Sequence, residues 1–214
     1  VTLLLLPRDR GTASGANQAA SWSAAWADGR FRRMVLCQTL VSCVWLSVPF
    51  YGVHATQQLG LPTTIAGFFV VASSITYIVA SLVLGVVGER YGLHRLIRIG
   101  AAFIITSPLL ALVAQWTGLQ SAPVYALVYV GIGVFNSIRM LGFRNYVFTI
   151  APPELRPTYV GLANGIVGVT SVLPVLGGAL LQAVGYSALF ALTAIAALAG
   201  FALSLTLPPA RAHS

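Results

Sequence analysis

The feature that most constrains this chain is a succession of six uninterrupted apolar stretches, at about 34–55, 65–88, 97–116, 123–146, 158–183 and 187–207. Each is about 20 residues long, the length a helix needs to cross the hydrocarbon core of a bilayer, where an α-helix satisfies its own backbone. The expected fold is an all-α membrane protein, a bundle of six transmembrane helices over residues 34–207. It is preceded by the end of an earlier span and a linker (1–33) and followed by a short tail (208–214). Composition agrees: 57% of the 214 residues are hydrophobic and only 7% charged, against about 25% charged in a water-soluble domain.

Six spans place both ends on one side of the membrane. The breaks alternate in charge: 1–33, 88–98, 144–157 and 208–214 hold every acid and 11 of the 12 arginines, while 56–64, 117–122 and 184–186 hold none. Positive segments stay in the cytoplasm, so both termini are expected there, and the short loops and all-arginine basic set point to a cell (inner) membrane. The net charge of +8 is thus a topology signal, and no nucleic-acid partner is expected. Val1 to Leu6 reads as the tail of an earlier span. Trp22 and Trp26, one turn apart before Arg30, Arg32 and Arg33, fit either a short interfacial helix or a loose linker with tryptophan anchors.

Several chemistries are excluded. The chain has no lysine, so a phosphate-binding G-x-x-x-x-G-K-[ST] loop is impossible, and G-x-S-x-G, H-E-x-x-H and C-x-x-C are absent. Gly131 and Gly133 lie inside a span and read as close helix packing. Cys37 and Cys43 are about 9 Å apart along one helix, too far for an unstrained disulfide. His54, His94 and His213 lack metal-ligand spacing. Neither an enzyme, nor a cofactor, nor a metal site is expected.

The spans differ in polarity. The first carries Ser47, Tyr51, His54 and Gln58 on one face, with Gln38 and Ser42 deeper. The second aligns Gly67, Ser74, Tyr77, Ser81 and Gly88; the fourth Asn136, Arg139, Phe143 and Tyr146; the fifth Gly161, Asn164, Gly165 and Gly168. The third and sixth are nearly all aliphatic or phenylalanine. Helices one, two, four and five are therefore expected to line a path, and three and six to face lipid. The candidate path residues are Gln38, Ser42, Tyr51, His54, Ser74, Tyr77, Asn136, Arg139 and Asn164. Small and polar residues also serve as helix contacts in membranes, so each stripe has a packing explanation beside the functional one. Arg139 either sits at the inner interface with Arg144 or faces a cavity. Pro49, Pro108 and Pro174, inside spans, are expected to kink or break their helices. A largely uncharged lining favours a neutral or amphipathic solute, with Arg139 the one hint of an anion.

The stretch from Gly85 through Glu89, Arg90 and Gly92 to Arg95 joins spans two and three, and it resembles the cytoplasmic loop signature G-x-x-x-D-R-x-G-R-[KR]-x of the major facilitator superfamily. Glu89 replaces the aspartate, and Leu93 and His94 stand where basic residues are usual. Pro153 to Arg156 is similar to the family's P-x-x-R loop, and Pro174 to Gly178 to its P-x-x-G-G motif. The resemblance implies two six-helix halves joined by a cytoplasmic linker, of which this chain looks like the C-terminal one. It also implies transport of a small solute by alternating access, lipid and the N-terminal six-helix half as partners, and a loop latch of Gly85, Glu89, Arg90, Gly92 and Arg95. The rival reading is a non-transporting membrane scaffold or subunit whose polar stripes serve only packing.

Overall fold

The computed structural model describes residues 21–209; Val1 to Leu6 and His213 lie outside them. Four long apolar helices come first: α1 (Gly29–Gln58), α2 (Ile65–Tyr91), α3 (Leu93–Thr117) and α4 (Ala122–Ile150). A helical stretch then runs over Pro153–Ser204. Straight, its 52 residues would reach about 78 Å, more than twice the bilayer core, so it must turn back. It does so at Gly185, whose φ of 79° is open to glycine at no steric cost. The turn divides the stretch into α5 (156–184) and α6 (186–204). All six expected spans are present, and no strand interrupts the described residues.

Prolines shape three of the helices. A proline ring clashes with the carbonyl four residues earlier, and each regular segment accordingly restarts just before one. In α1 a 3₁₀ turn (Cys43–Leu46) precedes Pro49, in α3 the helix breaks at Ile105 before Pro108, and in α5 it breaks after Thr170 before Pro174.

The packing falls into two interlocked triplets. A Cβ added at Gly133 of α4 would lie 2.5 Å from the Ser73 carbonyl oxygen of α2, and one at Gly177 of α5 would strike the Leu46 backbone of α1. Likewise Gly100 of α3 leaves room for Ile138 of α4, and Gly200 of α6 for Val41 of α1. Thus α2 and α3 pack on α4 as α5 and α6 pack on α1.

The arginine-bearing breaks gather at one end of the bundle. There Arg98 of α3 donates to the carbonyls closing α6: Nε to Ser204 at 3.1 Å, and Nη2 to Leu205 at 2.8 Å and Leu207 at 3.0 Å. The Ser204 carbonyl also accepts the Leu207 N–H at 3.2 Å, and a cation suits that end of the helix dipole. Residues 21–27 are helical. Thr158 of α5 donates to Ser21, and the Tyr159 hydroxyl donates to Asp28 Oδ2 at 3.2 Å.

Candidate functional site

The nine candidate path residues separate into two groups. Six surround two adjoining recesses that open on the same side of the bundle. The first, of about 280 Å³, has Gln38 of α1, Arg139 and Arg144 of α4, and Asn164 of α5 in its wall. The second, of about 400 Å³, has Ser74 and Tyr77 of α2 facing Asn136 and Arg139 of α4. Arg139 and Met140 belong to both walls. Every wall residue of the two recesses comes from α1, α2, α4 or α5. α3 and α6 enter neither wall; exposed apolar side chains occur on them, at Phe103 and Ile195, and equally on α2 and α5, at Val70, Leu82 and Val175.

Ser42, Tyr51 and His54 are the other group, and the structure corrects their placement: all three are buried inside the bundle. The expected path face of α1 is turned into the protein. His54 Nδ1 lies 2.8 Å from the Tyr125 hydroxyl of α4, and Nε2 lies 2.6 Å from Gln115 Oε1 of α3. The Tyr125 hydroxyl in turn donates to the Tyr51 carbonyl at 3.0 Å. Four residues before Tyr51 in α1, Ser47 pairs with Thr193 of α6 at 2.6 Å. Thr193 spends its only hydrogen on the Leu189 carbonyl, so Ser47 is the donor. The bonds of His54 and Ser47 join helices, whereas the buried Tyr51 hydroxyl finds no partner among the described residues.

The stripe of α4 is corrected in a different way. A regular helix aligns Asn136, Arg139, Phe143 and Tyr146, but Tyr146 is fully buried and donates its hydroxyl proton to the Pro208 carbonyl at 2.8 Å. The cause is a π-helical turn over Ile138–Phe143. Its wider spacing inserts one extra residue per turn, which moves the exposed face on by one position. Arg139, Phe143 and Val147 then line the first recess together with Met140, Arg144 and Phe148. Met140, Arg144, Val147 and Phe148 are the α4 wall residues that periodicity missed, because a π-turn leaves no mark in hydropathy.

None of the six recess side chains, Gln38, Ser74, Tyr77, Asn136, Arg139 and Asn164, makes a side-chain hydrogen bond or ion pair to another described residue. The Nε of Arg139 is buried without an acceptor. Among the described residues no group of His, Cys, Asp and Glu could hold a metal; Cys37 and Cys43 are free thiols.

At the α2–α3 turn, Gly92 has φ 91° and reverses the chain. Gly88 makes the close contact, since a Cβ there would lie 2.9 Å from Leu96 Cδ1, whereas Gly85 faces open space. Glu89, Arg90 and Arg95 are exposed; the Arg95 guanidinium lies 5.7 Å from the Tyr91 ring centroid. No ion pair joins the three among the described residues, so the expected latch is not closed within this bundle.

A profile of the Major Facilitator Superfamily matches residues 34–214. The chain belongs to the major facilitator superfamily. No curated protein matches the sequence. Family membership and the six apolar helices make this major facilitator a multi-pass membrane protein and a transporter. The recesses described above are its candidate solute site.

Proposed function

We propose that this major facilitator is a secondary active transporter of a small solute, that it works by alternating access, and that the bundle described here acts as its C-terminal half. The observation that carries the reading is the convergence of six unpartnered polar side chains from α1, α2, α4 and α5 on two recesses sharing Arg139. An amide or guanidinium in a membrane protein that has no internal partner needs water or a ligand. The recesses are open on one side, which suits a second six-helix body closing over them, in the same polypeptide or in another chain. Rocking of the two bodies would expose the site to either face in turn. The arginine-rich end is then cytoplasmic, in a cell or inner membrane, and the exposed Glu89, Arg90 and Arg95 would find their latch partners on the second body.

The test is uptake of a solute panel by the complete transporter in proteoliposomes, with and without a pH gradient. Saturable uptake that Asn136→Ala and Asn164→Ala weaken is the expected result. Absence of uptake for every solute under either gradient would favour a scaffold.

A further inference from the structure

The recess of Arg139 is one of three that follow each other toward the arginine-rich end. The third, of about 330 Å³, holds Arg156 and shares Phe148 and Val160 with the first. Arg139, Arg144 and Arg156 therefore stand in file along the path, without an acid between them.

Among the described residues no acid pairs with them. The Nε atoms of both Arg139 and Arg156 are buried without an acceptor. Of the acids described, Asp28 is engaged by the Arg30 backbone N–H at 2.8 Å and by the Tyr159 hydroxyl at 3.2 Å. Glu89 and Glu154 are exposed and belong to no recess wall. Arginines held at the membrane surface merely to fix topology keep their guanidinium in water; a buried Nε without a partner departs from that pattern. Arg139 and Arg156 are only half-buried as residues, so a bound anion could still reach each guanidinium and engage its planar fork. Around this charge the wall is apolar, with Phe143, Val147 and Val167, while Gln38, Asn136 and Asn164 supply amide groups.

Resting on the transporter reading above, we infer that the solute is an amphipathic organic anion, whose carboxylate or phosphate head is held by Arg139 and passed along Arg144 and Arg156 while its apolar body lies against α4 and α5. The recess volumes of about 280, 400 and 330 Å³ lie at the lower edge of small-molecule sites.

The test uses the complete transporter in phosphatidylcholine nanodiscs and matched pairs of probes that differ only in charge: benzoate and benzamide, phenylacetate and phenylacetamide, octanoate and octanamide. Calorimetric titration should show at least one acid bound about tenfold or more tightly than its amide, the range of a charge-assisted hydrogen bond. Arg139→Gln should abolish that preference, and Arg139→Lys, which keeps the charge and loses the fork, should retain part of it. Should Arg139→Gln not assemble, a second measurement decides. In a background of Cys37→Ser and Cys43→Ser, Asn164→Cys should react faster with a negatively charged sulfonate thiol reagent than with a trimethylammonium one. Equal binding of every acid and its amide, or equal rates for the two reagents, would overturn the proposal.

Two arms separate sources and levels. If phosphatidylglycerol in the nanodisc displaces the bound acid, the occupant is a lipid head group and the solute proposal falls. If the transporter takes up neutral solutes with Arg139→Gln as active as wild type, the transport reading stands and the anion falls; if acids bind with the stated preference and nothing is carried, the anion stands and the transport reading falls.

Discussion

Two polar regions of this bundle are built from similar residue types and behave oppositely. In the interior, Ser47, His54, Gln115, Tyr125 and Thr193 find one another across α1, α3, α4 and α6 at 2.6–2.8 Å. At the recesses, Gln38, Ser74, Asn136, Arg139 and Asn164 come equally close in sequence to apolar neighbours, yet none of them has a side-chain partner among the described residues. Polarity within a membrane span is therefore ambiguous by itself. What separates adhesive from site is whether the group's hydrogen-bonding capacity is spent inside the protein, because an unspent group in a low-dielectric setting calls for water or ligand.

Glycine substitutions should give the largest contrast between the two regions. A side chain at Gly133 meets the Ser73 carbonyl oxygen at 2.5 Å, Thr76 Cβ at 2.7 Å and the Tyr77 amide nitrogen at 2.9 Å. Two of these are backbone and cannot swing aside. Gly133→Leu should cost about 3 kcal/mol or more through overpacking, or prevent α2 from docking on α4. Gly165→Leu, on the open face of α5 with nothing within 4 Å of its Cβ position, should stay within about 1 kcal/mol of wild type and gains helix propensity. Thermal melts of the purified variants compare them directly, and equal losses would erase the distinction between a packed interior and an open wall.

The next effect belongs to His54. Replacing it with leucine leaves the Tyr125 hydroxyl with only the Tyr51 carbonyl and leaves the half-buried Gln115 without its partner. A loss of about 2 kcal/mol is expected from the orphaned amide and the lost pair. Ser74→Ala, which removes a hydroxyl that bonds nothing in the bundle, should fall within about 0.5 kcal/mol of wild type. Smaller again is the coupling between Ser47 and Thr193. A double-mutant cycle with alanine should return about 0.6–1.7 kcal/mol, the span measured for hydrogen bonds between membrane helices; a value near zero would mean that the 2.6 Å contact is incidental.

The sequence carried the larger features because they obey length and sign alone. Six apolar spans follow from bilayer thickness, and the alternation of arginines follows from topology. The three prolines announced where α1, α3 and α5 are interrupted. Which face of α1 turns outward was not legible, since Ser47, Tyr51 and His54 sit at helical spacing whether they meet water or Thr193, Phe190 and Tyr125. Their partners lie 71 and 146 residues away for His54 and Ser47 respectively, and one chain's periodicity holds no record of them. The wall of α4 failed for a local reason. The turn at Ile138–Phe143 is π-helical, so positions after it are displaced from the 3.6-residue register, and Arg144 enters the site while Tyr146 leaves it. Asn136, Arg139 and Asn164 were legible because an amide or guanidinium in a span is uncommon enough to be informative singly.

Asn164 offers the smallest change in stability and the sharpest test of the comparison. It lies on α5 in the wall of the first recess, exposed and bonded to no other described side chain. Truncation to alanine removes no internal hydrogen bond, opens no cavity within the packed core, and replaces a poor helix former by the best one. The melting behaviour of Asn164→Ala should therefore match wild type to within about 0.5 kcal/mol. Its effect should instead appear in uptake by the complete transporter, as a higher KM for the solute, because an amide that bonds nothing in the empty bundle can contribute only when something else is present. A destabilisation as large as that of His54→Leu with KM unchanged would place Asn164 with the interior group. The recess would then be a gap between helices, with Arg139 at its edge for topology alone.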